Sequence, residues 1–233
     1  MKNLQQLEEQ EERSLLTAPL QRRSFLQFAG AGLAGAALLA AGCTKDDGIV
    51  AAPSAGVTLD FKDDFGVLNY AYALEQLEAA FYIQVASSFA SGFSPAERAK
   101  LDDIRLHEIA HREFFKKALG SAGIGSLEVD FSSISFSDRT SVLATAKAFE
   151  DLGVAAYNGA GVRIKDDKYL VAAGQIVSVE ARHAAYIRDI ISNGSFANSE
   201  VVDSNGLDQA LTPDKVLAIA GKYIKTKVNV INL

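Results

Sequence analysis

Apolar side chains recur with a helical period in four long segments of the chain. These segments predict helices over residues 61–91, 94–119, 138–158 and 165–192. The second helix begins with Ser94-Pro95-Ala96-Glu97, a capping box with proline in the first turn. After a polar loop, Thr212-Pro213 begins a short fifth helix that extends to about residue 224. The pattern therefore predicts an all-α fold.

The connection between the second and third helices is long enough to cross the whole molecule. Residues 121–137 alternate loosely, with Leu127, Val129 and Phe131 apolar, which indicates an extended segment. A helix of about 25 residues is about 38 Å long, whereas about 17 extended residues can reach up to about 56 Å. The sequence therefore predicts a four-helix bundle in which one long crossover joins two helical hairpins.

The motif Glu-x-x-His occurs twice, as Glu108–His111 in the second helix and Glu180–His183 in the fourth. Residues three apart share one face of a helix, so each motif presents a carboxylate beside an imidazole. A lone glutamate precedes each motif, Glu75 by 33 residues and Glu150 by 30, as if one helix pair were used twice. Such a set is typical of di-iron and di-manganese carboxylate bundles. The candidate metal ligands are Glu75, Glu108, His111, Glu150, Glu180 and His183.

Each of these acids lies in an apolar helical stripe, as Glu180 does among Ile176, Val177 and Ile187. An unpaired buried carboxylate costs several kcal/mol or becomes neutral. Two divalent cations balance four carboxylates, and neutral imidazoles complete the coordination. No comparable set of lysines or arginines lies on these stripes. The pattern therefore favours a metal pair, and oxygen and imidazole donors without thiolate suit iron or manganese.

The six positions match the ligand pattern of ferritin-like proteins such as bacterioferritin, rubrerythrin and manganese catalase. The sequence segments around these positions are LEQLEAAFY (74–82), HEIAHREFF (107–115) and VEARHAAYIR (179–188). These segments resemble those of the exported ferritin-like domain group that includes desiccation-related proteins. The resemblance covers residues 61–224 and implies a ferritin-like four-helix bundle with one long crossover and a short C-terminal fifth helix.

The resemblance also implies a chemistry. It implies two iron or manganese ions and a reaction with O2 or peroxide, either iron oxidation or peroxide removal, as in protection from oxidative stress. We expect Glu108 and Glu180 to bridge the two metals. Tyr82 and Tyr157 would donate hydrogen bonds to ligand carboxylates; ordinary half-buried core tyrosines are the alternative. Glu78 shares a face with Glu75, so the ligand from the first helix is Glu75 or Glu78.

Two other functions fit parts of the pattern. HEIAH formally matches the zinc protease motif, in which His107 and His111 would bind zinc and Glu108 would act as the base. That assignment leaves the second Glu-x-x-His unexplained. A non-enzymatic stress or structural module, with a structural or vestigial metal site or a polar layer without metal, is the other alternative.

Composition narrows the possible partners. The chain has 233 residues, 48% of them hydrophobic, and a formal net charge of −6, which indicates one globular domain with a sizeable core. The acidic balance argues against nucleic acid as a partner. The single cysteine, Cys43, excludes an intramolecular disulfide. A homo-oligomer is compatible with these features.

The first 42 residues carry the features of an export signal. Arg22 and Arg23 precede an apolar stretch rich in glycine and alanine, over residues 25–41, which resembles a Tat signal. The stretch ends in LLAAGC, which resembles a lipoprotein signal with Cys43 as the lipidated residue. An uncleaved membrane anchor is the alternative, but about 17 residues are short for a spanning helix. We expect Tat export, a tether over 43–60 and a lipoprotein anchored to a membrane, facing the periplasm or the cell surface. The bundle would occupy 61–193, followed by a C-terminal segment, 194–233.

Overall fold

The computed structural model describes residues 56–233. Four long helices, α1 to α4, dominate it, and the short helix α5 follows them. Their bounds are Asp64–Ser87 for α1, Pro95–Leu119 for α2, Arg139–Gly161 for α3, Asp167–Ile191 for α4 and Pro213–Ala220 for α5. The helices α1 and α2 pack as one hairpin, α3 and α4 pack as another, and α1 also contacts α3. The predicted all-α ferritin-like bundle with a fifth helix is confirmed.

Capping fixes where the helices begin. The Ser94 side chain accepts a hydrogen bond from Glu97 N, and the Glu97 carboxylate accepts one from Ser94 N, as the predicted capping box requires. The carboxylates of Asp63, Asp138 and Asp166 cap α1, α3 and α4 by accepting hydrogen bonds from backbone N–H groups. Each cap satisfies an N–H group that has no partner within its own helix.

The crossover between α2 and α3 is held by aromatic packing and by the C-terminal segment. The rings of Phe131 and Phe136 lie 6.0 and 5.8 Å from that of Phe81, which is fully buried in α1. The backbone N–H of Asp130 donates to Tyr223 O, 2.8 Å away. These contacts tie the crossover to both the bundle and the segment after α5, and they bury large aromatic surfaces.

Helix α3 continues past residue 158, where the predicted helix ends. Gly159 does not stop the helix; it lets another segment approach closely. A Cβ atom at Gly159 would lie 1.8 Å from Leu211 O, while Leu211 N donates to Ala155 O at 2.9 Å. The glycine therefore serves packing between α3 and the segment before α5, a role that local sequence does not reveal.

A two-stranded parallel sheet joins the two ends of the described chain. Strand β1, Val57–Asp60, pairs with strand β2, Val228–Ile231, and Leu59 is fully buried. The predicted tether is therefore wrong at residues 57–60, because their backbone groups pair with β2 and Leu59 joins the core. Residues 43–55 of the predicted tether, Cys43 and the predicted signal lie outside the described residues. Among residues 56–233, no helix combines the length and apolar character needed to cross a bilayer.

Candidate metal centre

All six predicted ligands meet in the interior of the bundle. Each long helix supplies its part: α1 gives Glu75, α2 gives Glu108 and His111, α3 gives Glu150, and α4 gives Glu180 and His183. The four carboxylates are 0% exposed, His183 is buried and His111 is partly buried. Four acids without solvent contact need compensation from within the protein or from a bound ion.

The donor atoms form two overlapping groups. One contains Glu75, Glu108, His111 and Glu180, and the other contains Glu108, Glu150, Glu180 and His183. Within each group, one ligand atom per residue lies within 4.8 Å of the others. Glu108 and Glu180, the two residues expected to bridge, belong to both groups.

The distances show which oxygens face which imidazole. His183 Nδ1 lies 2.9 Å from Glu108 Oε1 and 3.3 Å from Glu150 Oε2. His111 Nδ1 lies 2.9 Å from Glu180 Oε1 and 3.5 Å from Glu75 Oε2. We call the half that contains His111 and Glu75 the His111 half, and the half that contains His183 and Glu150 the His183 half.

The donor set fits metal because its atoms lack other partners. Although the imidazole and carboxylate atoms approach closely, both Nδ1 atoms and six of the carboxylate oxygens make no contact with hydrogen-bond geometry. Among the described residues, nine buried side-chain atoms lack a hydrogen-bond partner, and these eight are among them. Buried polar atoms in native proteins are nearly always satisfied. The concentration of these unpartnered donor atoms at one point is typical of a metal-binding site.

The pKa shifts of the two histidines show how the negative charge of the cluster is balanced without metal. Burial opposes the charge on His183, but Glu150 and Glu108 outweigh it and raise the pKa of His183 to about 11. Contacts with Glu108, Glu180 and Glu75 likewise raise the pKa of His111 against the effect of burial. The neighbouring carboxylates therefore favour the cationic form of both imidazoles when no metal is bound, and metal competes with the proton for the same nitrogens.

The pKa values of the carboxyl groups shift in different directions. Burial raises the pKa of Glu75 to about 7, and burial together with the charge on Glu108 raises the pKa of Glu180 well above its ordinary value. Burial acts on Glu108 too, but contacts with His111 and His183 overcome it and lower the pKa of Glu108 to about 2. In the absence of metal, protons therefore replace part of the positive charge that the four acids require.

The two predicted tyrosines contact carboxylates of candidate ligands across the bundle. Tyr82 of α1 donates a hydrogen bond to Glu150 Oε1 of α3, and Tyr157 of α3 donates one to Glu75 Oε1 of α1. Each tyrosine lies seven residues after the glutamate of its own helix but bonds the glutamate of the other helix. These two hydrogen bonds between α1 and α3 orient Glu150 and Glu75, each of which belongs to only one of the two donor groups.

Glu78 lies beside the centre but belongs to neither group. It is 4% exposed, and burial followed by the charge of Glu180 raises its pKa well above the ordinary value. Opposite it is Gly153, where a Cβ atom would lie 3.1 Å from Glu78 Oε1 and 3.4 Å from Glu180 Oε2. Geometry therefore favours Glu75 as the ligand from α1, with Glu78 occupying the space that Gly153 leaves.

His107 makes a contact with His183 that the sequence did not reveal. Its Nδ1 lies 2.9 Å from His183 Nε2, the ring nitrogen that faces away from the carboxylates. His107 belongs to neither metal group, so the structure does not bring His107 and His111 together as ligands of one ion. The zinc protease motif therefore lacks the geometry that it needs. The only sequence signal for His107 is its place in HEIAH, which does not reveal a contact with another helix.

Comparison with known proteins points to one family. A family model described as a ferritin-like domain matches residues 63–193. The matched segment contains all four long helices and all six candidate ligands. No curated protein matches the chain.

Proposed function

This chain belongs to the ferritin-like domain family, and we propose that it is a di-metal carboxylate protein that carries out redox chemistry. The observation that carries this proposal is the pair of donor groups that share Glu108 and Glu180. Two iron or manganese ions, when bound, would supply one-electron redox changes at adjacent positions for a reaction with O2 or peroxide. The reaction class is ferroxidase or peroxide removal.

The residues of the chain would have separate tasks. Glu108 and Glu180, which belong to both donor groups, would hold both metals. Glu75 and His111 would hold one metal, Glu150 and His183 would hold the other, and each imidazole would offer Nδ1. Tyr82 and Tyr157 would hold the terminal carboxylates in place through their hydrogen bonds. The full burial of the carboxylates would exclude water and strengthen each electrostatic contact.

Repeated turnover is the test of this function. Metal-free protein would be loaded with Fe(II) without oxygen and then given O2 or hydrogen peroxide, with oxidant consumption and Fe(III) absorbance recorded. We expect oxidant consumption to continue with each further addition of Fe(II) and to exceed that of free Fe(II) in the same buffer. A protein that retains its metal and consumes no oxidant beyond this background would instead be the non-enzymatic stress or structural module. Metal analysis of protein from its native source would identify the ion.

For localisation, we propose that the chain is exported by the Tat route and anchored through a lipid on Cys43, facing the periplasm or the cell surface. Arg22, Arg23 and the LLAAGC sequence support this proposal. Lysine at both arginine positions should stop export, and Cys43→Ala should prevent lipid attachment while the bundle still folds. Mass spectrometry of membrane-extracted protein measures the mature N-terminus. An unmodified Cys43 thiol in membrane-bound protein would indicate a spanning anchor instead.

A further inference from the structure

His107 and His183 are joined edge to edge. Their ring planes differ by 6°, and their centroids are 5.1 Å apart, which is close to the 2.9 Å N–N distance plus the two ring radii. The rings therefore lie side by side in nearly one plane, as a linear N–H···N hydrogen bond requires. His107 is exposed to solvent on α2, whereas His183 is buried on α4. The contact thus connects the candidate metal centre with the protein surface.

This contact determines what His183 can offer to a metal. A neutral imidazole carries one proton, so coordination through Nδ1 requires the proton to lie on Nε2. His183 Nδ1 faces Glu108 and Glu150, while Nε2 faces His107 Nδ1. With His107 as acceptor, the N–H on His183 Nε2 has a partner and the Nδ1 lone pair points into the metal centre. Such outer contacts fix the tautomer and the ring orientation of a ligating histidine.

The His111 half lacks this support among the residues that the structure describes. His111 Nδ1 faces Glu75, Glu108 and Glu180, and no protein group among residues 56–233 forms a hydrogen bond with its Nε2. The residue at the matching position of the second motif, immediately before Glu180, is Val179, which has no acceptor in its side chain. The two halves therefore present the same donor types but differ in how firmly their imidazoles are held.

We propose that His107 is a positioning residue that fixes the orientation and tautomer of His183 and makes the His183 half bind metal more tightly than the His111 half. The proposal rests on the proposed function, because it concerns the same metal centre. His107 does not touch either metal; it acts only through His183. The chain has three histidines, and all three lie at this site, so their signals can be followed without interference.

The experiment compares three variants with the wild-type chain. His107→Phe keeps a flat ring but removes the acceptor, whereas His107→Asn places an amide oxygen close to the position of Nδ1. Leu106→Ala is the matched control, because Leu106 is an exposed neighbour on the same helix. Metal-free protein would be titrated with Co²⁺ by calorimetry and visible absorption, and circular dichroism would verify folding. In parallel, ¹⁵N-histidine spectra of the Zn²⁺-loaded protein would report the tautomer of His183.

We expect two binding events in the wild-type chain. In His107→Phe the tighter event should weaken by about 10- to 100-fold, while the other event changes little. His107→Asn should restore the tighter event and the Nε2–H signal of His183, and Leu106→Ala should match the wild type.

Three results would overturn the inference. Unchanged affinities in His107→Phe, with two ions bound, would refute the role of His107 and leave the proposed function intact. Equal weakening in His107→Phe and Leu106→Ala would show a general disturbance of α2. A wild-type chain that binds no Co²⁺ would overturn the proposed function as well.

Discussion

The hairpin of α1 and α2 and the hairpin of α3 and α4 give the candidate centre equivalent donors but unlike surroundings. Each supplies a lone glutamate, a Glu-x-x-His motif and a tyrosine that bonds the acid of the opposite hairpin. They differ at two matched positions. Glu78 of α1 corresponds to Gly153 of α3, and His107 of α2 corresponds to Val179 of α4. Both additional polar groups belong to the first hairpin.

This difference shows that the six donors and the residues around them are under separate constraints. The six candidate donors repeat in the way that the proposed centre for two metal ions would use, since di-metal carboxylate bundles have a nearly symmetric set of ligands. The surroundings need not repeat, and steric contact prevents repetition at one position. Glu78 and Gly153 face each other, so a side chain at one position occupies the space of the other. The bundle can therefore be symmetric in its ligands while it carries an extra carboxylate on one side only.

The largest expected effect concerns the acids that the two hairpins share. Glu108→Gln combined with Glu180→Gln removes one charged donor of each hairpin from both groups at once. We expect the stoichiometry to fall from about two metals per chain to none, because neither group retains enough charge. Elemental analysis after equilibrium dialysis measures it.

The matched control uses the acids that are not shared. Glu75→Gln with Glu150→Gln removes the same number of charges, but each group then loses one acid rather than two. This variant should still bind metal, with lower affinity. Retention of about two metals in the first variant would refute the assignment of Glu108 and Glu180.

The next effect concerns metal removal, which would leave the buried carboxylates of both hairpins without the cations that balance their charge. Metal at about 1,000 times its dissociation constant adds about 4 kcal/mol of stability. For a chain of this size, the holo form should therefore melt on the order of 10 °C above the apo form at pH 7. Scanning calorimetry with and without chelator measures the gap. Identical melting temperatures would favour a polar layer without metal.

The gap should narrow in mild acid, and the pKa shifts give the direction. Burial raises the pKa of Glu75 from 4.5 to about 7, so the folded apo protein holds a proton that the unfolded chain releases. The stability of the apo form should therefore increase as pH falls from 7 toward 4.5. Over the same range, protons displace metal from the holo form. Glu108 has the opposite effect below pH 4.5. Its pKa is lowered to about 2 in the folded protein, so its contribution to stability is lost as the pH falls further. Calorimetric scans of both forms between pH 4 and pH 8 would follow this course.

A smaller effect should appear where the hairpins differ most, at Glu78 and Gly153. Alanine in place of glycine inside a helix normally stabilises by about 0.5–1 kcal/mol. At Gly153 its Cβ would crowd Glu78 and Glu180, so Gly153→Ala should gain less than this or destabilise the protein. In a Glu78→Ala background the main obstacle is absent, and the full gain should return.

The cycle of the two single variants and the double variant measures this coupling by chemical denaturation. We expect a coupling free energy between about 0.5 and 3 kcal/mol, as for other residues in contact. Equal effects of Gly153→Ala in both backgrounds would mean that Glu78 and Gly153 do not share the space between α1 and α3.

The sequence predicted the parts of this molecule that depend on a regular local pattern. The helical period predicted four helices and the capping box at Ser94 placed the start of α2. The repeated motif identified the six residues that the structure brings together. These features were accessible because helix geometry alone puts residues three apart on one face.

Features that depend on distant segments were not accessible. Strand β1 has only four residues, and its partner β2 lies at the other end of the described chain. Gly159 looks like a helix stop until Leu211 is seen to approach it. The role of His107 depends on His183, which is 76 residues away on another helix. In each case the tertiary partner, rather than the local sequence, determines the structure.

An effect confined to one half of the centre at a time should separate the two halves through their tyrosines. Tyr82 bonds Glu150, which belongs only to the His183 half, and Tyr157 bonds Glu75, which belongs only to the His111 half. Because burial raises the pKa of both hydroxyls well above its ordinary value, they remain donors at any pH of interest. Tyr82→Phe should weaken one Co²⁺ binding event about tenfold, and Tyr157→Phe should weaken the other by a similar factor.

Tyr70→Phe is the matched control for both tyrosines. The Tyr70 hydroxyl is buried without a hydrogen-bond partner, so its removal leaves no group unsatisfied and should leave both affinities unchanged. Calorimetric titration of all three variants, beside His107→Phe, tests the assignment of each half. Tyr82→Phe and His107→Phe should weaken the same event, since Glu150 and His183 belong to the same half. If the two variants weaken different events, then the division into a His111 half and a His183 half is wrong, even if the chain binds two metals.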